Sequence, residues 1–315
     1  KKGYRIIGCK RSSTSGALWR LKELDIEKDI EITNFDLTKL ADIYRLINKY
    51  KPDEIYNLAA QSFVADSFEK PIMTADTTGL GVLRILETIR QINPQIKFYQ
   101  ASSSEMFGNM IGTPQNELTP FYPRSPYAVA KVFGHLITVN YREAYDMFTC
   151  SGILFNHESS RRGETFVTKK ITLGLCKIKL GLEKKLVLGN LNARRDWGHA
   201  KDFVKAQWLI MQQKKPDDYV IATGKQYSVK QFVNFTCQKL GIKIKWKGKG
   251  ISEKCYDSNG NIIIECNKKY FRPSEVDNLL GNPRKAMKQL KWRPEIDIKK
   301  LVNEMVENDL KILTN

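Results

Sequence analysis

The chain has 315 residues, of which 42% are hydrophobic and 27% are charged, as is usual for a folded enzyme of one large domain or two closely packed ones. No apolar run approaches the roughly 20 residues that cross a bilayer, and the start does not read as a secretory signal. Three histidines and six scattered cysteines show no metal-ligand spacing. We therefore expect a cytoplasmic protein with reduced thiols, no metal and no membrane contact.

The formal net charge of +18 raises the question of nucleic-acid binding. The lysines are dispersed over many predicted helices and loops, and no basic helix carries interleaved base-stacking aromatics. We expect no nucleic-acid partner, because a lysine-rich composition explains the charge. A basic protein still favours a polyanionic small molecule such as a nucleotide diphosphate.

Short apolar strands alternate with amphipathic helices along the first half of the chain. This alternation predicts a doubly wound α/β fold with a parallel, Rossmann-type sheet, whose ligands bind beyond the carboxyl ends of the strands. The predicted strands are Tyr4–Gly8, Glu54–Leu58, Ile96–Gln100 and Cys150–Phe155. The predicted helices carry Leu40, Ile43, Leu46 and Ile47, then Leu83, Leu86, Ile89 and Ile92, and a long one spans about Ser125 to Tyr145.

We expect the given sequence to start in the middle of this pattern, since Lys1-Lys2-Gly3 resembles a helix end with a glycine cap. A dinucleotide-binding fold first supplies a strand and a Gly-rich turn for the pyrophosphate, and neither is present in this sequence. We expect that about 25 residues, the size of half a βαβ unit, precede Lys1.

After Phe155 the alternation weakens and polar segments appear. We predict a dinucleotide-binding domain over residues 1–155, with 198–224 returning to it as a helix and a strand. Residues 156–197 and 225–315 are predicted to form a smaller mixed α/β substrate-binding lobe. Within that lobe, the Gly-, Lys- and Ser-rich stretch Lys247–Asn261 is predicted to be a surface loop.

The strongest local chemical signal is Tyr127-Ala128-Val129-Ala130-Lys131. Residues four apart share a helix face, so the phenol and the ammonium point into the same space. A nearby cation favours phenolate and moves the pKa of a tyrosine toward the working range. A chance surface pair is the alternative interpretation, because Tyr-x-x-x-Lys is common.

A serine run with one acid, Ala101-Ser102-Ser103-Ser104-Glu105, follows a predicted strand. Such hydroxyls often only cap a turn, and Glu105 could be a solvated loop acid. Taken with Tyr127 and Lys131, however, hydroxyl, carboxylate, phenol and ammonium form a complete set for acid–base work around a carbonyl.

At this point the chain resembles the extended short-chain dehydrogenase/reductase superfamily and, within it, the GDP-mannose 4,6-dehydratase family, from about Tyr4 to Leu310. Tyr-x-x-x-Lys marks only the superfamily, whereas the narrower segments point to the GDP-sugar branch. The segments that carry the resemblance are Phe98–Glu105, Thr119–Tyr127, Asn156–Val167, Arg195–Asp202 and Tyr270–Val276.

The resemblance implies a dehydration with internal hydride transfer. Tyr127 would take the proton from the sugar O4, while Lys131 holds and activates Tyr127 and Ser103 hydrogen-bonds O4. Glu105 would remove the C5 proton and help expel the C6 hydroxyl as water. The family usually has Thr at the position of Ser103, and the hydroxyl is kept.

The implied cofactor is NADP, with NAD left possible. Lys10, Arg11, Ser12 and Ser13 offer cations and hydroxyls where an acid would bind the ribose of NAD. A solvated strand end is the alternative for Lys10 and Arg11, and the family often has a second Arg at Ser12. The residues that the resemblance assigns to the cofactor are Arg11, Ser12, Asp36, Leu37, Leu58, Ala59, Gln61, Tyr127, Lys131, His157 and Arg162.

For the substrate, Arg195 and Arg272 are the natural diphosphate ligands, because a guanidinium forks onto phosphate oxygens. Surface salt bridges are the alternative for both, and His157 could equally be a buried packing residue. The family usually has Pro at Ser160 and His at Phe63, which leaves the local loop shape open. The positions that resemble the family's sugar-nucleotide site are Asn156, Val167, Lys170, Leu188, Gly189, Arg195, Arg272 and Glu275.

Other functions stay open. A 4-reductase or 4-epimerase of the same superfamily keeps the Tyr/Lys pair but needs no base at Glu105. The sugar could be mannose or a manno-heptose, and a nucleic-acid-binding or scaffold protein is the distant alternative. By analogy with relatives we expect a homodimer or homotetramer, paired through the helices after Thr74 and Ser125 and with a contact in Ser13–Leu24.

Overall fold

The computed structural model describes residues 2–11, 18–109 and 114–314. The strands are β1 (Ile7–Lys10), β2 (Glu31–Asn34), β3 (Glu54–Asn57), β4 (Lys97–Ser103), β5 (Thr149–Leu154), β6 (Asn156–Glu158), β7 (Leu186–Leu188), β8 (Arg194–Arg195), β9 (Trp197–His199), β10 (Asp218–Ile221), β11 (Tyr227–Ser228), β12 (Lys245–Lys247), β13 (Lys254–Tyr256) and β14 (Ile262–Cys266). The helices are α1 (Trp19–Glu23), α2 (Leu40–Tyr50), α3 (Val64–Glu69), α4 (Pro71–Thr74), α5 (Gly81–Ile92), α6 (Pro126–Tyr145), α7 (Val167–Lys179), α8 (Ala200–Met211), α9 (Val229–Leu240), α10 (Arg284–Gln289) and α11 (Ile298–Thr314). A π-helical segment, Ala75–Leu80, joins α4 to α5.

Parallel strands with helical crossovers form the first part of the molecule, which confirms the doubly wound α/β fold. Four strands pair in the order β10–β5–β4–β3, and β1 pairs with β2, all in parallel. Apolar faces of α2 and α5 cover one side around Ile43, Leu86 and Phe98. The other side, packed on β5 and β10, includes Phe203 of α8 and Trp292.

A second, mixed sheet orders its strands β12–β13–β14–β7. Helices α7, α9 and α11 pack on it around residues such as Leu175, Phe232 and Val302, all of them fully buried. The segment from Val276 to Trp292 packs instead against the core of the parallel sheet. The division into a dinucleotide-binding domain and a substrate lobe stays a prediction.

Several predicted boundaries shift. The first strand starts at Ile7 rather than Tyr4, and residues 2–6 are not helical, although Gly3 has the expected positive φ of 78°. The strand β4 runs on to Ser103, so Ser102 and Ser103 lie in the strand rather than after it, and only Ser104 follows it. The predicted loop Lys247–Asn261 is wrong in part, because β13 lies within it. A tight turn in which Asp257 accepts from the backbone of Asn261 makes β13 and β14 a hairpin.

No helix among the described residues is long and apolar enough to cross a membrane.

Candidate active site

The catalytic wall, which we define as residues 101–107 and 125–131, is set by the end of β4 and the start of α6. Ser103 closes β4, and its hydroxyl accepts the backbone N–H of Glu105 at 3.2 Å, which turns the chain into a short 3₁₀ segment. Ser125 caps α6 by accepting the N–H of Ala128 at 3.1 Å, with Pro126 in the first turn. The end of β4 therefore brings the Ser103 hydroxyl and the Glu105 carboxylate to the edge of the sheet at which α6 starts.

Tyr127 and Lys131 lie one turn apart on α6, and both side chains are buried. The Lys131 ammonium lies 5.8 Å from the centre of the Tyr127 ring and donates a hydrogen bond to the carbonyl oxygen of Ala101 at 2.6 Å. The helical spacing therefore gives the shared face that the sequence predicts, and the lysine is fixed to the strand that carries Ser103.

Burial dominates the protonation of this pair. It raises the pKa of Tyr127 to about 12, a shift that the Ser103 hydroxyl opposes and that the Glu105 carboxylate strengthens. Burial also lowers the pKa of Lys131 to about 8. The sequence predicts a lowered pKa for this phenol, but burial raises it, so the Tyr127 phenol is protonated at neutral pH.

A cavity of about 1140 Å³ opens beside the catalytic wall. It runs between the parallel sheet and the second sheet, and its lining joins most of the predicted site. The predicted residues that line it are Ser103, Glu105, Tyr127, Lys131, Leu58, His157, Arg162, Asn156, Val167, Lys170, Leu188, Gly189, Arg195, Arg272 and Glu275.

Arg195 and Arg272 line the cavity, and each lies beside a carboxylate. The Arg272 Nη1 atom is 3.3 Å from both carboxylate oxygens of Glu105, and Arg195 is 3.6 Å from Glu275. Arg195 is held in place by its neighbour Asp196, whose carboxylate accepts the backbone N–H groups of Thr223 and Gly224 at 2.9 Å. Carboxylates thus lie beside these arginines at positions that also suit a diphosphate.

The approach of the 268–272 segment depends on one glycine. A Cβ atom at Gly189 would lie 2.4 Å from the carbonyl oxygen of Tyr270, so a larger residue would push that segment and Arg272 away. On the other side, the Lys170 ammonium lies 3.6 Å from the centre of the Tyr270 ring. Gly189 and Lys170 therefore help to place Arg272.

The roof loop, residues 159–166, joins β6 to α7 and covers part of the cavity. Arg162 pairs with the buried Glu158 at 2.9 Å and stacks over the Phe166 ring at 3.5 Å. Phe166 in turn meets Phe63 edge to face, with ring centres 5.9 Å apart. An apolar contact therefore joins this loop to the segment after β3.

The His157 side chain lines the cavity and also packs against its neighbours. Its Nδ1 lies 2.9 Å from the carbonyl oxygen of Phe155, and its ring stacks on Phe203 at 4.8 Å. Burial lowers the pKa of His157 to about 4, so the imidazole is neutral. This matches the packing role that the sequence left as an alternative.

The comparisons with known proteins show the family of this chain. A family model described as "GDP-mannose 4,6 dehydratase" matches residues 1–305. The Vibrio cholerae protein named GDP-mannose 4,6-dehydratase is 49% identical over an alignment of 329 positions, gaps included, which covers 99% of this chain and 88% of that protein. GDP-mannose 4,6 dehydratase 2 of Caenorhabditis elegans is 48% identical, over 99% of this chain and 84% of its own. This chain belongs to the GDP-mannose 4,6-dehydratase family.

Solved structures outside that family share the fold. UDP-glucose 4-epimerase from Thermotoga maritima superposes with a TM-score of 0.81 at 21% identity, covering 99% of this chain and 92% of its own. RMD from Pseudomonas aeruginosa, complexed with NADPH, superposes with a TM-score of 0.80 at 18% identity, covering 98% and 100%. These likenesses establish the Rossmann-type fold.

Five predicted cofactor residues of this family member lie outside the cavity lining, and Ser12 lies outside the described residues. The five are Arg11, Asp36, Leu37, Ala59 and Gln61. Arg11 and Asp36 come together beyond the carboxyl ends of β1 and β2. The Thr38 hydroxyl and, to a smaller extent, Arg11 hold the pKa of Asp36 below its usual value.

The side chains of Leu37 and Gln61 have structural partners. Leu37 is 4% exposed and packs in the core against Gly81, so a contact with a ligand would have to come from its backbone. The Gln61 side-chain amide donates to the carbonyl of Phe63 at 3.0 Å, while its carbonyl oxygen is buried and unpaired. Ala59 is exposed beside β3. Their cofactor roles stay predictions.

Sequence reasoning missed several residues that shape the cavity, among them Phe166 and Tyr270. Both lie in irregular segments, where no periodicity marks them. It also missed Lys169 and Asp309, which are buried on α7 and α11. A signal existed for Asp309, because it continues the apolar stripe of Val302, Met305 and Val306, where an unpaired acid would be costly.

Proposed function

We propose that this chain is a GDP-mannose 4,6-dehydratase that converts GDP-mannose to GDP-4-keto-6-deoxymannose. The observation that carries the proposal is a carboxylate, Glu105, in the same cavity wall as Ser103, Tyr127 and Lys131. The hydroxyl, phenol and ammonium suit oxidation at C4. The carboxylate supplies the additional base that an elimination across C5 and C6 requires.

The proton steps follow from these positions. Tyr127 takes the proton from O4, and Ser103 hydrogen-bonds the same oxygen. Once C4 is a ketone, the C5 proton is acidic and passes to Glu105, which then protonates the C6 hydroxyl so that it leaves as water. NADP, when bound, would supply the acceptor for the C4 hydride and the donor that returns it to C6, and Tyr127 would give C5 the proton that it took from O4. The reaction therefore loses one water with no net oxidation.

Binding of substrate and cofactor in the cavity should favour the phenolate form of Tyr127, which is the base. Burial raises the pKa of the Tyr127 phenol to about 12, so the phenol is protonated at neutral pH. Lys131, which is charged below about pH 8, is the cation that lies next to it on α6. The hydrogen bond to Ala101 uses one of the three Lys131 donors, so donors remain for the ribose hydroxyls of a nucleotide.

NADP is the proposed cofactor rather than NAD. Lys10 ends β1 and Arg11 follows it, and their cations suit a 2′-phosphate at the carboxyl end of a parallel strand. In the cavity, the neutral His157, Arg162 and the donors of Lys131 would hold the nicotinamide half. The buried and unpaired carbonyl oxygens of Gln61 and Asn156 give further acceptors for a polar ligand.

The GDP part is proposed to bind across the cavity from the catalytic wall. Its diphosphate would displace Glu105 and Glu275 from Arg272 and Arg195, since a bidentate phosphate contact is stronger than these spaced ion pairs at 3.3 and 3.6 Å. Glu105 is then free to act on C5. Diphosphate binding and release of the base are therefore the same event in this proposal.

A homodimer or homotetramer is the proposed assembly. Exposed apolar side chains lie on neighbouring helices of one region, with Val129, Phe133 and Leu136 on α6 and Ile72 on α4. α6 packs against the π-helical segment that follows α4. Of the segment Ser13–Leu24, residues 13–17 lie outside the described part of the chain. A cytoplasmic location is proposed because the described cysteines are unpaired.

The proposed function is tested with Glu105→Gln. In the wild type, GDP-mannose should lose one water with no added oxidant. The variant should oxidise C4 and stop there, so reduced cofactor accumulates while water loss falls by about 100-fold or more. Glu143→Gln, an exposed change on α6, is the matched control.

Water loss at the normal rate from Glu105→Gln would remove Glu105 from the mechanism. Inversion at C4 without water loss by the wild type would favour the epimerase alternative. Water loss only from GDP-manno-heptose would keep the mechanism and change the sugar.

A further inference from the structure

The backbone of the roof loop is held by buried charges that lie behind it. Lys169, on the first turn of α7, donates a hydrogen bond from its ammonium to the carbonyl oxygen of Ser160 at 2.9 Å. The same ammonium pairs with the carboxylate of Asp309 on α11, which also accepts the hydroxyl of Thr172 at 2.6 Å. Lys169 is 5% exposed and Asp309 is fully buried.

A second acid of α11 reaches the same residue of the loop. One carboxylate oxygen of Glu304 accepts the backbone N–H of Ser160 at 3.4 Å, and the other lies 2.8 Å from Nε2 of His199. His199 in turn caps α8 through its other ring nitrogen. Both polar groups of the Ser160 backbone are thus tied, directly or through Lys169, to α11.

At the buried positions of Lys169 and Asp309, an apolar side chain would pack at a lower cost in free energy. Asp309 continues the buried stripe of α11 that includes Met305 and Val306, and burial raises the pKa of Asp309 while Lys169 lowers it. Replacing a buried ion pair by apolar residues is often neutral or stabilising, so stability alone does not explain this one. What the pair adds is a directed donor at the Ser160 carbonyl.

The roof loop continues from Ser160 to Arg162 and Phe166, and both of these residues line the cavity. Within the described part of the chain, no α11 residue lines it. We infer that α11 holds the roof loop in its working position: Asp309, through Lys169, and Glu304 act as positioning residues for Arg162 and Phe166. The inference rests on the proposed function for the reaction that it affects.

The main test replaces the pair together, as Lys169→Met with Asp309→Leu, which leaves no unpaired buried charge. Lys177→Met, on the exposed side of the same helix, is the matched control. The double variant should keep its thermal midpoint and its KM for GDP-mannose within about 2-fold, and lose about 10- to 100-fold in kcat, since small misplacements of positioning groups cost that much.

Trypsin gives a readout that does not depend on activity. Arg161 and Arg162 are cleavage sites in the roof loop, and Lys184 is an exposed internal reference. In the double variant, cleavage after Arg161 or Arg162 should rise about 10-fold relative to cleavage after Lys184. Loss of global stability would instead raise cleavage throughout the chain and leave that ratio unchanged.

If the double variant does not fold, Glu304→Gln keeps the inference testable, with Glu307→Gln on the exposed face of α11 as control. The Glu304 change should raise roof-loop cleavage and lower kcat in the same direction, and the Glu307 change should do neither. Wild-type rates and an unchanged cleavage ratio in Glu304→Gln, and in the double variant where it folds, would overturn the inference. A wild type that does not dehydrate GDP-mannose would fail the proposed function instead, and the cleavage ratios would still test the positioning.

Discussion

The catalytic wall and the roof loop face the same cavity but are fixed in different ways. The wall consists of a strand end and a helix start, and backbone hydrogen bonds and the Ser125 cap place Tyr127 within it. The roof loop has no regular structure and is held by the distant helix α11, through Glu304 and through Asp309 with Lys169. We therefore expect changes in the wall to affect the chemical step, and changes around the roof to affect how the bound substrate is aligned.

The largest effect should come from Tyr127→Phe. This change removes the O4 base without altering the packing of the ring, so kcat should fall by about 100- to 10,000-fold at an unchanged thermal midpoint. Rates of cofactor reduction and of water loss measure both steps. Tyr145→Phe, at the exposed end of the same helix, is the control. A variant that still oxidises C4 at the wild-type rate would contradict the role of the wall.

The next largest effect should come from Arg272→Lys, which changes a cavity residue outside the catalytic wall. Lysine keeps the charge but loses the forked contact with a diphosphate, so KM for GDP-mannose should rise about 10- to 100-fold with a smaller change in kcat. Steady-state kinetics separate the two constants, with the exposed Arg293→Lys as control. A fall in kcat alone would mean that Arg272 acts on the chemistry and not on binding.

The pH dependence tests the wall without changing its shape. Burial lowers the pKa of Lys131 to about 8, so its cation is complete below that pH and is lost as the pH rises through it. The rate should therefore fall by up to about tenfold per pH unit above pH 8. Lys131→Met should be slower and lack this fall. A rate that keeps rising to pH 10 would show that no cation is needed there.

The smallest effect should follow Phe63→Ala, which removes the ring that meets Phe166. An edge-to-face pair contributes little, so we expect an increase in KM or a fall in kcat of about 3- to 10-fold. Phe63→Leu should restore most of the loss by filling the space. If alanine there matches the wild type, the Phe63 contact does not align the roof loop.

The sequence predicted the wall better than the roof, and the reason is physical. Tyr127 and Lys131 are four residues apart on a helix, so local geometry alone places them on one face. The contact between Ser160 of the roof loop and Glu304 joins residues 144 positions apart, and only the packing of α11 beside the loop brings them together. No local pattern carries that information.

Local composition also misled the prediction in one place. The stretch Lys247–Asn261 reads as a loop, yet β13 lies in it because β12 and β14 pair with it on both sides. Tertiary contacts decided the outcome there, as is common for short strands.

The most direct test of the account follows the hydrogen that leaves C4. The protein is incubated with GDP-mannose that carries deuterium at C4, and the product is analysed by mass spectrometry and NMR. The account predicts loss of one water, with the deuterium retained in the same molecule at C6. Loss of the label to solvent, or a product that keeps its C6 hydroxyl, would contradict dehydration by internal hydride transfer.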